Sequence, residues 1–271
     1  MAAFEFFSSD LEIVPCETFE DLFYAVGSDL AMYGMAPLEN SLAGTVDPVW
    51  DLLMKWKPTV LGELYLRIEH CLIGHPSAKL DDVRRIYSHQ QALAQCQEFI
   101  SSLDGVVQEE FYDTAGAVKM IKERGNPHEA AIAPAQAAID YQMQIFAEGI
   151  QTNRRNFTRF LVISNRTGEF EDTGLKSTVV LKADHADMPA SQLLEVLTRH
   201  DVTLSKMETR KCLGEPWLHL VYLDFLGGVS NRPLQAALKE LESLVHEVHL
   251  LGSYPCGTQS EARDAPTLIR R

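Results

Sequence analysis

Apolar residues recur along the chain at intervals of three and four, and hydroxyl or acidic residues stand just before several of these runs. The first run follows Thr18 and has apolar positions at Phe19, Leu22, Phe23 and Val26. Asp21 stands three residues after Thr18, where the acid of a capping box belongs. The pattern therefore predicts an amphipathic helix that begins after Thr18.

A short apolar run followed by helical spacing occurs four times in the first part of the chain. The predicted strands are 31–38, 85–87, 110–112 and 130–133. Pro134 stands at a first helical position, which suits proline because its fixed φ matches the helix there. Repeated strand–helix units predict an α/β domain in which helices cover mainly parallel sheets.

The pattern changes beyond residue 165. Segment 166–176 carries Gly168 and Gly174 among polar residues and is predicted to be a linker. The elements predicted after it are strand 177–183, helix 191–200, strands 202–210 and 217–225, helix 233–245 and strand 247–251. This βαββαβ order predicts a ferredoxin-like module over 177–255. The tail over 256–271 is expected to be disordered.

Composition excludes several classes of partner. The 271 residues carry a formal net charge of −14, whereas a nucleic-acid-binding face requires clustered basic residues. No window approaches the ~18 consecutive apolar residues of a membrane span. The five cysteines form no C-x-x-C pair, so we expect free thiols and no metal site. Neither a nucleic acid nor a membrane is an expected partner.

Three predicted strand-to-helix corners begin with hydroxyl residues among small or amide side chains: 39–45, 88–91 and 113–116. A helix N-terminus offers unpaired backbone N–H groups, so such corners can hold a carboxylate. Converging corners would suit a substrate with two carboxylates. The structural alternative is that Ser88 forms a capping box with Gln91 and that Thr114 caps its own helix. Spacing alone does not decide between the two interpretations.

Residues 153–160 lead directly into the apolar run 161–163 and are well placed to face a cleft, although a surface loop has the same pattern. The histidines give a weaker signal. None of His70, His75, His89 and His128 falls in a metal-ligand spacing, and a single histidine is more often a structural residue than a base.

Four segments together resemble the signature segments of prephenate dehydratases, in the family's order and at its spacing. They are PLENSLAG at 37–44, SHQQALAQC at 88–96, DTAGA at 113–117 and NFTRF at 156–160. The segments LSKMETR at 204–210 and LGSYP at 251–255 are similar to the family's ACT domain. Several matches in order are far more specific than any one motif.

The resemblance implies a catalytic domain over 1–165 built from two α/β lobes, similar to type 2 periplasmic binding proteins, and an ACT domain over 177–255. It implies a carbon–oxygen lyase of phenylalanine biosynthesis that converts prephenate to phenylpyruvate, with loss of water and carbon dioxide and without metal or organic cofactor. Arogenate dehydratase, which yields phenylalanine directly, is the close alternative. A catalytically inactive two-lobed ligand-binding or sensor protein is the alternative from another class.

Roles follow from the resemblance position by position. Thr158 matches the family's essential threonine and is implied to donate a hydrogen bond, or relay a proton, to the departing hydroxyl. A threonine hydroxyl is too weak an acid to act alone, so Glu39 or a water is considered as the proton source. Substrate orientation is implied for Asn40, Ser41, Ser88, His89, Gln95, Thr114, Ala115, Asn156 and Arg159. Phe160 is implied to shape the pocket.

The chain departs from the family pattern at its start. Family members begin with a strand and a glycine-rich turn before a helix whose later part resembles residues 2–7. Here that strand and turn are missing. We therefore expect either that the chain begins at an internal methionine or that the first lobe lacks an element.

The resemblance also implies an L-phenylalanine effector site at Met188, Ala190, Glu208 and Arg210. Methionine at 188 replaces a glycine of the family, and Lys211 replaces a proline. Because a glycine permits close backbone approach to a ligand, the resemblance leaves phenylalanine as a possible effector, but feedback inhibition is not to be assumed. The edges of an ACT-type sheet predict a homodimer or homotetramer. The expected location is the cytoplasm, or a plastid if an upstream transit peptide is missing.

Overall fold

The computed structural model describes residues 1–7, 11–168, 170–171, 173–184, 189–212, 215 and 217–257 in full, and the backbone of 267–268. In these residues the chain forms nine α-helices: α1 (Ala2–Phe7), α2 (Phe19–Gly27), α3 (Asp47–Trp56), α4 (Gln90–Gln95), α5 (Gln97–Ser101), α6 (Thr114–Arg124), α7 (Ala135–Asp140), α8 (Ala190–Arg199) and α9 (Arg232–Glu242). The strands are β1 (Gly34–Asn40), β2 (Gly44–Thr45), β3 (Thr59–Arg67), β4 (Cys71–Gly74), β5 (Arg85–Ser88), β6 (Val107–Glu110), β7 (Glu129–Ala133), β8 (Gln144–Glu148), β9 (Phe157–Ser164), β10 (Leu175–Asp184), β11 (Leu204–Lys211), β12 (Leu218–Leu226), β13 (Glu247–Pro255) and β14 (Thr267–Leu268).

The chain folds into two compact units. The inserted unit consists of Leu66–Thr158 together with β14, and the flanking unit consists of Ala2–Tyr65 and Arg159–Gln259. The chain passes into the stretch Leu66–Thr158 within β3 and leaves it within β9.

Helix α2 begins where the sequence predicts. The Thr18 hydroxyl accepts a hydrogen bond from the Asp21 backbone N–H at 3.1 Å, and the Asp21 carboxylate accepts one from the Thr18 backbone N–H at 3.1 Å. This capping box satisfies two backbone donors that the first turn would otherwise leave unpaired. The buried face of the helix then packs Phe23 and Val26 into the same core as Trp50 of α3.

The flanking unit contains two four-stranded sheets. The first has the order β2-β1-β9-β3 and the second the order β11-β12-β10-β13. The second sheet, with helices α8 and α9, forms what we call the C-terminal module (Leu175–Pro255). Its elements follow the predicted βαββαβ order, and all three strand pairs in its sheet are antiparallel.

The sheet of the C-terminal module is buried on both faces. Val179 and Leu181 of β10 pack with α8 and α9 in one core, whereas Val180 belongs to the core that contains Trp50 and Val60. This difference follows from the alternation of side chains along a strand. The sequence predicts only the face that the two helices cover. In the structure, the first sheet of the flanking unit and α3 cover the other face.

A backbone contact fixes how closely β13 approaches β3. A Cβ atom added to Gly252 would lie 2.1 Å from the carbonyl oxygen of Val60. No side chain fits at that distance, so position 252 requires glycine for space rather than for backbone freedom.

The inserted unit contains one sheet, with the order β14-β8-β4-β7-β5-β6. The prediction of mainly parallel sheets is wrong here. Strand β5 is parallel to β6 and β7, but β4 is antiparallel to β7 and β8, and β14 is antiparallel to β8. Strand β4 is four residues long and fully buried, and a run that short gives little periodicity from which to predict it.

Several boundaries differ slightly from those predicted. The strand predicted at 110–112 is β6, which ends at Glu110, and Pro134 precedes α7 as its N-cap. Strand β10 begins at Leu175, within the predicted linker. Of the predicted tail, only 256–257 and β14 are among the described residues.

All five cysteines are free, as predicted. Two of them, Cys71 and Cys96, lie in the core of the inserted unit. Burial raises the pKa of each of these thiols to about 12. Their role is therefore packing rather than reactivity.

Candidate active site

The first predicted corner is a tight hairpin, which we call the signature hairpin (Glu39–Asp47). Strands β1 and β2 pair at its base. Oδ1 of Asn40 accepts hydrogen bonds from the backbone N–H groups of Leu42 at 3.0 Å and Ala43 at 2.9 Å. Gly44 has a φ of 85°, a conformation that side chains disfavour. Asn40 therefore shapes the turn, in addition to the substrate contact that the resemblance implies.

Glu39, at the start of this hairpin, is held by two cations. Its Oε1 accepts a hydrogen bond from Nη1 of Arg159 at 3.3 Å, and its Oε2 accepts one from Nζ of Lys206 at 2.5 Å. Lys206 belongs to β11 of the C-terminal module. A carboxylate whose two oxygens both accept from cations is in a poor arrangement to donate a proton.

Arg159 lies in a group that we call the buried ion cluster (Glu63, Arg159, Lys176 and Asp224). Nη2 of Arg159 lies 2.8 Å from Glu63 and its Nη1 lies 2.7 Å from Asp224, while Nζ of Lys176 lies 2.6 Å from Glu63. Burial opposes the charged form of Arg159, but the carboxylates of Asp224 and Glu63 prevail and raise the pKa of the guanidinium. The cluster joins β3 and β9 to β10 and β12 of the C-terminal module.

Side chains alternate along β9. Asn156, just before the strand, is buried, Thr158 and Phe160 are half-buried, and Arg159 is 2% exposed. Neighbouring strand residues point to opposite faces of the sheet. Arg159 therefore points away from the face that carries Thr158 and Phe160, and its guanidinium is occupied by the buried ion cluster.

The second corner is tied to the neighbouring strand. Ser88 is buried and its hydroxyl donates a hydrogen bond to the carbonyl of Ile132, at 2.6 Å. The N-cap of α4 is His89, whose Nδ1 accepts from the backbone N–H of Gln91 at 3.3 Å. The capping box of Ser88 with Gln91, offered as the structural alternative, is therefore not formed. The hydrogen bond of Ser88 therefore fixes this corner to β7.

Gln95, at the end of α4, is the centre of a polar network in the inserted unit. Its Oε1 accepts a hydrogen bond from Nδ2 of Asn156 at 2.9 Å and lies 2.8 Å from Nε2 of His70. Its backbone carbonyl accepts from the Thr152 N–H at 2.8 Å. The backbone N–H of His70 donates to Oε1 of Gln151 at 2.9 Å. Two of the predicted site residues, Gln95 and Asn156, are thus brought into contact.

His70 fixes the orientation of the Gln95 amide, and the sequence gives no sign of this role. It is 5% exposed. Burial lowers the pKa of the imidazole, and the hydrogen bond to Gln95 opposes that shift only in part. Within the described part of the chain, Nδ1 of His70 has no hydrogen-bond partner, so a second proton would add an unsatisfied buried donor. His70 is therefore held neutral, with its Nε2–H donating to Gln95.

The third corner is capped by an acid. Oδ1 of Asp113 accepts a hydrogen bond from the backbone N–H of Gly116 at 2.5 Å, so Asp113 rather than Thr114 caps α6. A Cβ atom at Gly116 would lie 2.6 Å from the Asp113 carboxylate, which explains the glycine in this segment. Thr114 is half-buried and Ala115 is exposed on the first turn of the helix.

The predicted effector residues lie in different surroundings. Met188 is outside the described residues. Ala190 is exposed at the start of α8, and Glu208 is half-buried on β11. Arg210 donates a hydrogen bond to Oδ1 of Asp47, at 2.6 Å, at the end of the signature hairpin. Its guanidinium is thus already paired.

The candidates divide between the two units. Glu39, Asn40, Arg159, Phe160 and the exposed Ser41 belong to the flanking unit, and the inserted unit carries Ser88, His89, Gln95, Thr114, Ala115, Asn156 and Thr158. A search of the described residues finds no group of three or more His, Cys, Asp or Glu side chains able to hold a metal ion. None of the helices that the structure describes is long and apolar enough to cross a membrane.

Comparison with known families and proteins identifies relatives over most of the chain. The family model described as prephenate dehydratase matches residues 1–168. An arogenate dehydratase/prephenate dehydratase of Arabidopsis thaliana, described as chloroplastic, is 34% identical over 258 residues, which cover 91% of this chain and 67% of the relative. A bifunctional chorismate mutase/prephenate dehydratase of Enterobacter agglomerans is 30% identical over 241 residues and 89% of this chain. The chain spans 62% of the length of that bifunctional relative.

Two solved structures share the fold. One, GqqA, is described as a novel type of quorum quenching acylase; it is 30% identical, with a TM-score of 0.85 over 94% of this chain and 93% of that chain. The other is the prephenate dehydratase of Arthrobacter aurescens in complex with L-Phe, which is 28% identical, with a TM-score of 0.80 over 89% of this chain and 81% of that chain. These matches confirm the predicted α/β fold class, with a two-lobed catalytic part similar to periplasmic binding proteins.

The burial of His70 predicts how stability depends on pH. Its pKa in the folded protein lies below the usual 6.5, so the unfolded chain takes up the proton first. Stability is therefore fully present above the unfolded pKa and falls as the pH drops below it. We expect His70→Asn to lose less stability than the parent between pH 7 and pH 5, measured by urea unfolding. His246→Asn, which replaces an exposed histidine, is the control, and its stability should change with pH as that of the parent does. If the free energy of unfolding of His70→Asn fell as steeply between pH 7 and pH 5 as that of the parent, the assignment would be contradicted.

Proposed function

Because this chain belongs to the prephenate dehydratase family, we propose that it converts prephenate to phenylpyruvate in aromatic amino-acid biosynthesis. The observation that carries the proposal is that all four signature segments lie within the matched residues 1–168. In this reaction the ring hydroxyl departs as water and the ring carboxylate as carbon dioxide. The electron pair of the broken carbon–carbon bond enters the ring, which becomes aromatic. The reaction is that of a carbon–oxygen lyase and needs no metal or organic cofactor.

Thr158 is proposed to assist the departing hydroxyl. It is half-buried near the start of β9, two residues after Asn156, whose side chain is hydrogen-bonded to Gln95. A fixed hydroxyl can donate to a leaving oxygen as charge develops on it, without reorganisation. Gln95 and Asn156 then orient the substrate through amide groups, and neutral His70 keeps the Gln95 amide in one orientation.

Glu39 receives a different role from the one first implied. Both of its oxygens accept from cations, which disfavours it as the proton source. We propose that the proton that leaves with the hydroxyl comes from solvent through a water, which takes up one proton as it passes another on. Glu39 then holds the base of the signature hairpin, so that Asn40 and Ser41 contact the substrate. Arg159 is likewise proposed to act through Glu39 rather than by touching the substrate.

Arogenate is the alternative substrate. The Arabidopsis relative is described with both dehydratase activities, and the two substrates share the ring hydroxyl and carboxylate that are lost. Comparing kcat/KM for each with the purified chain tests the choice. An efficiency at least about tenfold higher with arogenate, which corresponds to ~1.4 kcal/mol of transition-state discrimination, would replace prephenate as the substrate.

The acylase structure suggests a second candidate function. GqqA matches this chain with a TM-score of 0.85, over 93% of its own length. An acylase hydrolyses an acyl group from an amide, so its product is a free amine. Amine release from an N-acylated amino compound, with neither prephenate nor arogenate consumed, would favour this candidate. Saturable binding of prephenate without any turnover would instead favour a ligand-binding or sensor protein.

We also propose a location and an assembly state. The cytoplasm is the proposed location, and a plastid is the alternative that the chloroplastic Arabidopsis relative supports. A homodimer or homotetramer is supported by the two edge strands of the C-terminal module, β11 and β13. Edge strands carry unpaired backbone groups that a second copy can pair.

L-phenylalanine is expected to leave this protein unaffected. The Arthrobacter relative was solved in complex with L-Phe, but here Arg210 is paired with Asp47, and Met188 and Lys211 depart from the family pattern. A ligand that binds only the folded protein must raise its melting temperature. We therefore expect no shift in thermal unfolding and no inhibition at millimolar L-phenylalanine, with prephenate as the positive control. A concentration-dependent rise together with inhibition would show that the site is intact.

Replacing Thr158 tests the mechanism. Thr158→Ala should retain its fold and most of its substrate affinity but lose turnover by about 100-fold or more, because the hydroxyl acts mainly in the transition state. Thr158→Ser should keep part of the activity. Thr198→Ala removes the same kind of hydroxyl from an exposed position of α8 and is the control. Near-parent kcat for Thr158→Ala would contradict the assignment and point to the Gln95 network as the main source of catalysis.

A further inference from the structure

The signature hairpin is held at both ends by one strand of the C-terminal module. At its first residue, Glu39 accepts from Nζ of Lys206 at 2.5 Å. At its last residue, Asp47 accepts from Nη1 of Arg210 at 2.6 Å. Lys206 and Arg210 lie four residues apart on β11. Because strand side chains alternate, both point to the same face of the sheet.

A second set of contacts fixes the helix that continues from the hairpin. Nε of Arg210 lies 3.7 Å from Oδ1 of Asp51, on the next turn of α3. The Tyr222 hydroxyl donates to the backbone carbonyl of Trp50 at 2.6 Å, and the rings of these two residues meet edge to face at 4.6 Å. The ammonium of Lys206 lies 5.9 Å from the Trp50 ring, within cation–π range. The hairpin is thus anchored at its base and along the first turn of α3.

A short ladder closes the hairpin. Its two strands pair through Glu39 with Thr45 and Asn40 with Gly44, the Val46 N–H donates to the Leu38 carbonyl at 3.0 Å, and Oδ1 of Asn40 accepts from two N–H groups of the loop. The loop between them carries Asn40 and Ser41, which the proposed function places against the substrate. A two-residue ladder is marginal without outside support, and the ion pairs at the two ends of the hairpin supply such support.

We propose that Lys206 and Arg210 are positioning residues for the substrate-contacting loop of the signature hairpin, and that the C-terminal module is in this sense part of the active site. The proposal rests on the proposed function. Both cations are partly buried, with side chains 23% and 17% exposed. Such pairs contribute little to stability, so their removal should change substrate binding more than folding.

The test compares Lys206→Met and Arg210→Met with Lys182→Met. Lys182 forms its ion pair with Glu215 within the C-terminal module, at 2.5 Å, and touches no residue named in the site. We expect each of the first two variants to raise the KM for prephenate about two- to fivefold, the scale of a partly exposed ion pair. Their kcat should change less, and the double variant should raise KM about tenfold. Lys206→Arg should recover most of the loss, and Lys182→Met should match the parent.

Hydrogen exchange at residues 40–46 separates this proposal from the proposed function. Faster exchange there in Lys206→Met and Arg210→Met, but not in Lys182→Met, is expected even if the parent turns over neither prephenate nor arogenate. In that case the proposed function would be wrong, while the positioning role would stand. Unchanged exchange in the hairpin, or a KM within about 1.5-fold of the control at equal melting temperature, would overturn the positioning role.

Discussion

The flanking unit depends on the guanidinium of Arg159, which is buried away from water. Arg159 is 2% exposed, and the carboxylates that balance it come from β3 and from β12 of the C-terminal module. A charge in such surroundings is tolerated only when it is paired and hydrogen-bonded, and removing one partner of a buried pair costs about 3–5 kcal/mol. The first sheet and the C-terminal module are therefore joined by buried ion pairs of Arg159 with Asp224 and of Glu63 with Lys176. The contact of Trp50 with Tyr222 and the close approach of Gly252 to Val60 lie at the same interface, between the first part of the flanking unit and the C-terminal module.

The two units hold their candidate site residues by different physical means. In the flanking unit the signature hairpin is held by ion pairs to Arg159, Lys206 and Arg210. In the inserted unit Gln95 is held by the neutral groups of His70 and Asn156. Of the two, the Gln95 network is the one that responds to pH between 7 and 5, because it depends on neutral His70, whose imidazole pKa is lowered by burial. The flanking unit thus uses ion pairs, and the inserted unit uses hydrogen bonds between neutral groups.

Local features could be predicted from the sequence, and long-range pairings could not. The capping box of Thr18 with Asp21 and the βαββαβ order of the C-terminal module depend on residues close together in the chain. The ion pair of Arg159 with Glu39 joins residues 120 positions apart, and periodicity carries no information at that range. The signature segments predicted Gln95 and Asn156 as site residues, and the structure brings these two side chains into contact. His70, which positions Gln95, appeared only as a single histidine with no pattern around it. Strand β4 was missed because four buried residues fit a strand or a helix equally well.

The order in which the chain is synthesised conflicts with the order in which the flanking unit can close. Its first segment, up to Tyr65, leaves the ribosome before the whole inserted stretch from Leu66 to Thr158. The ion pairs of Glu63 can form only after Arg159, 96 positions later, and Lys176, 113 positions later, have been synthesised. At the usual 5–20 residues per second of translation this delay is on the order of ten seconds. During it, the stretch from Leu66 to Thr158 is already available to fold, while the apolar faces of β1 and β3 still lack the strands that will cover them. The nascent chain therefore passes through a stage in which its middle can be folded and its beginning cannot, and chaperone protection is needed most at that stage.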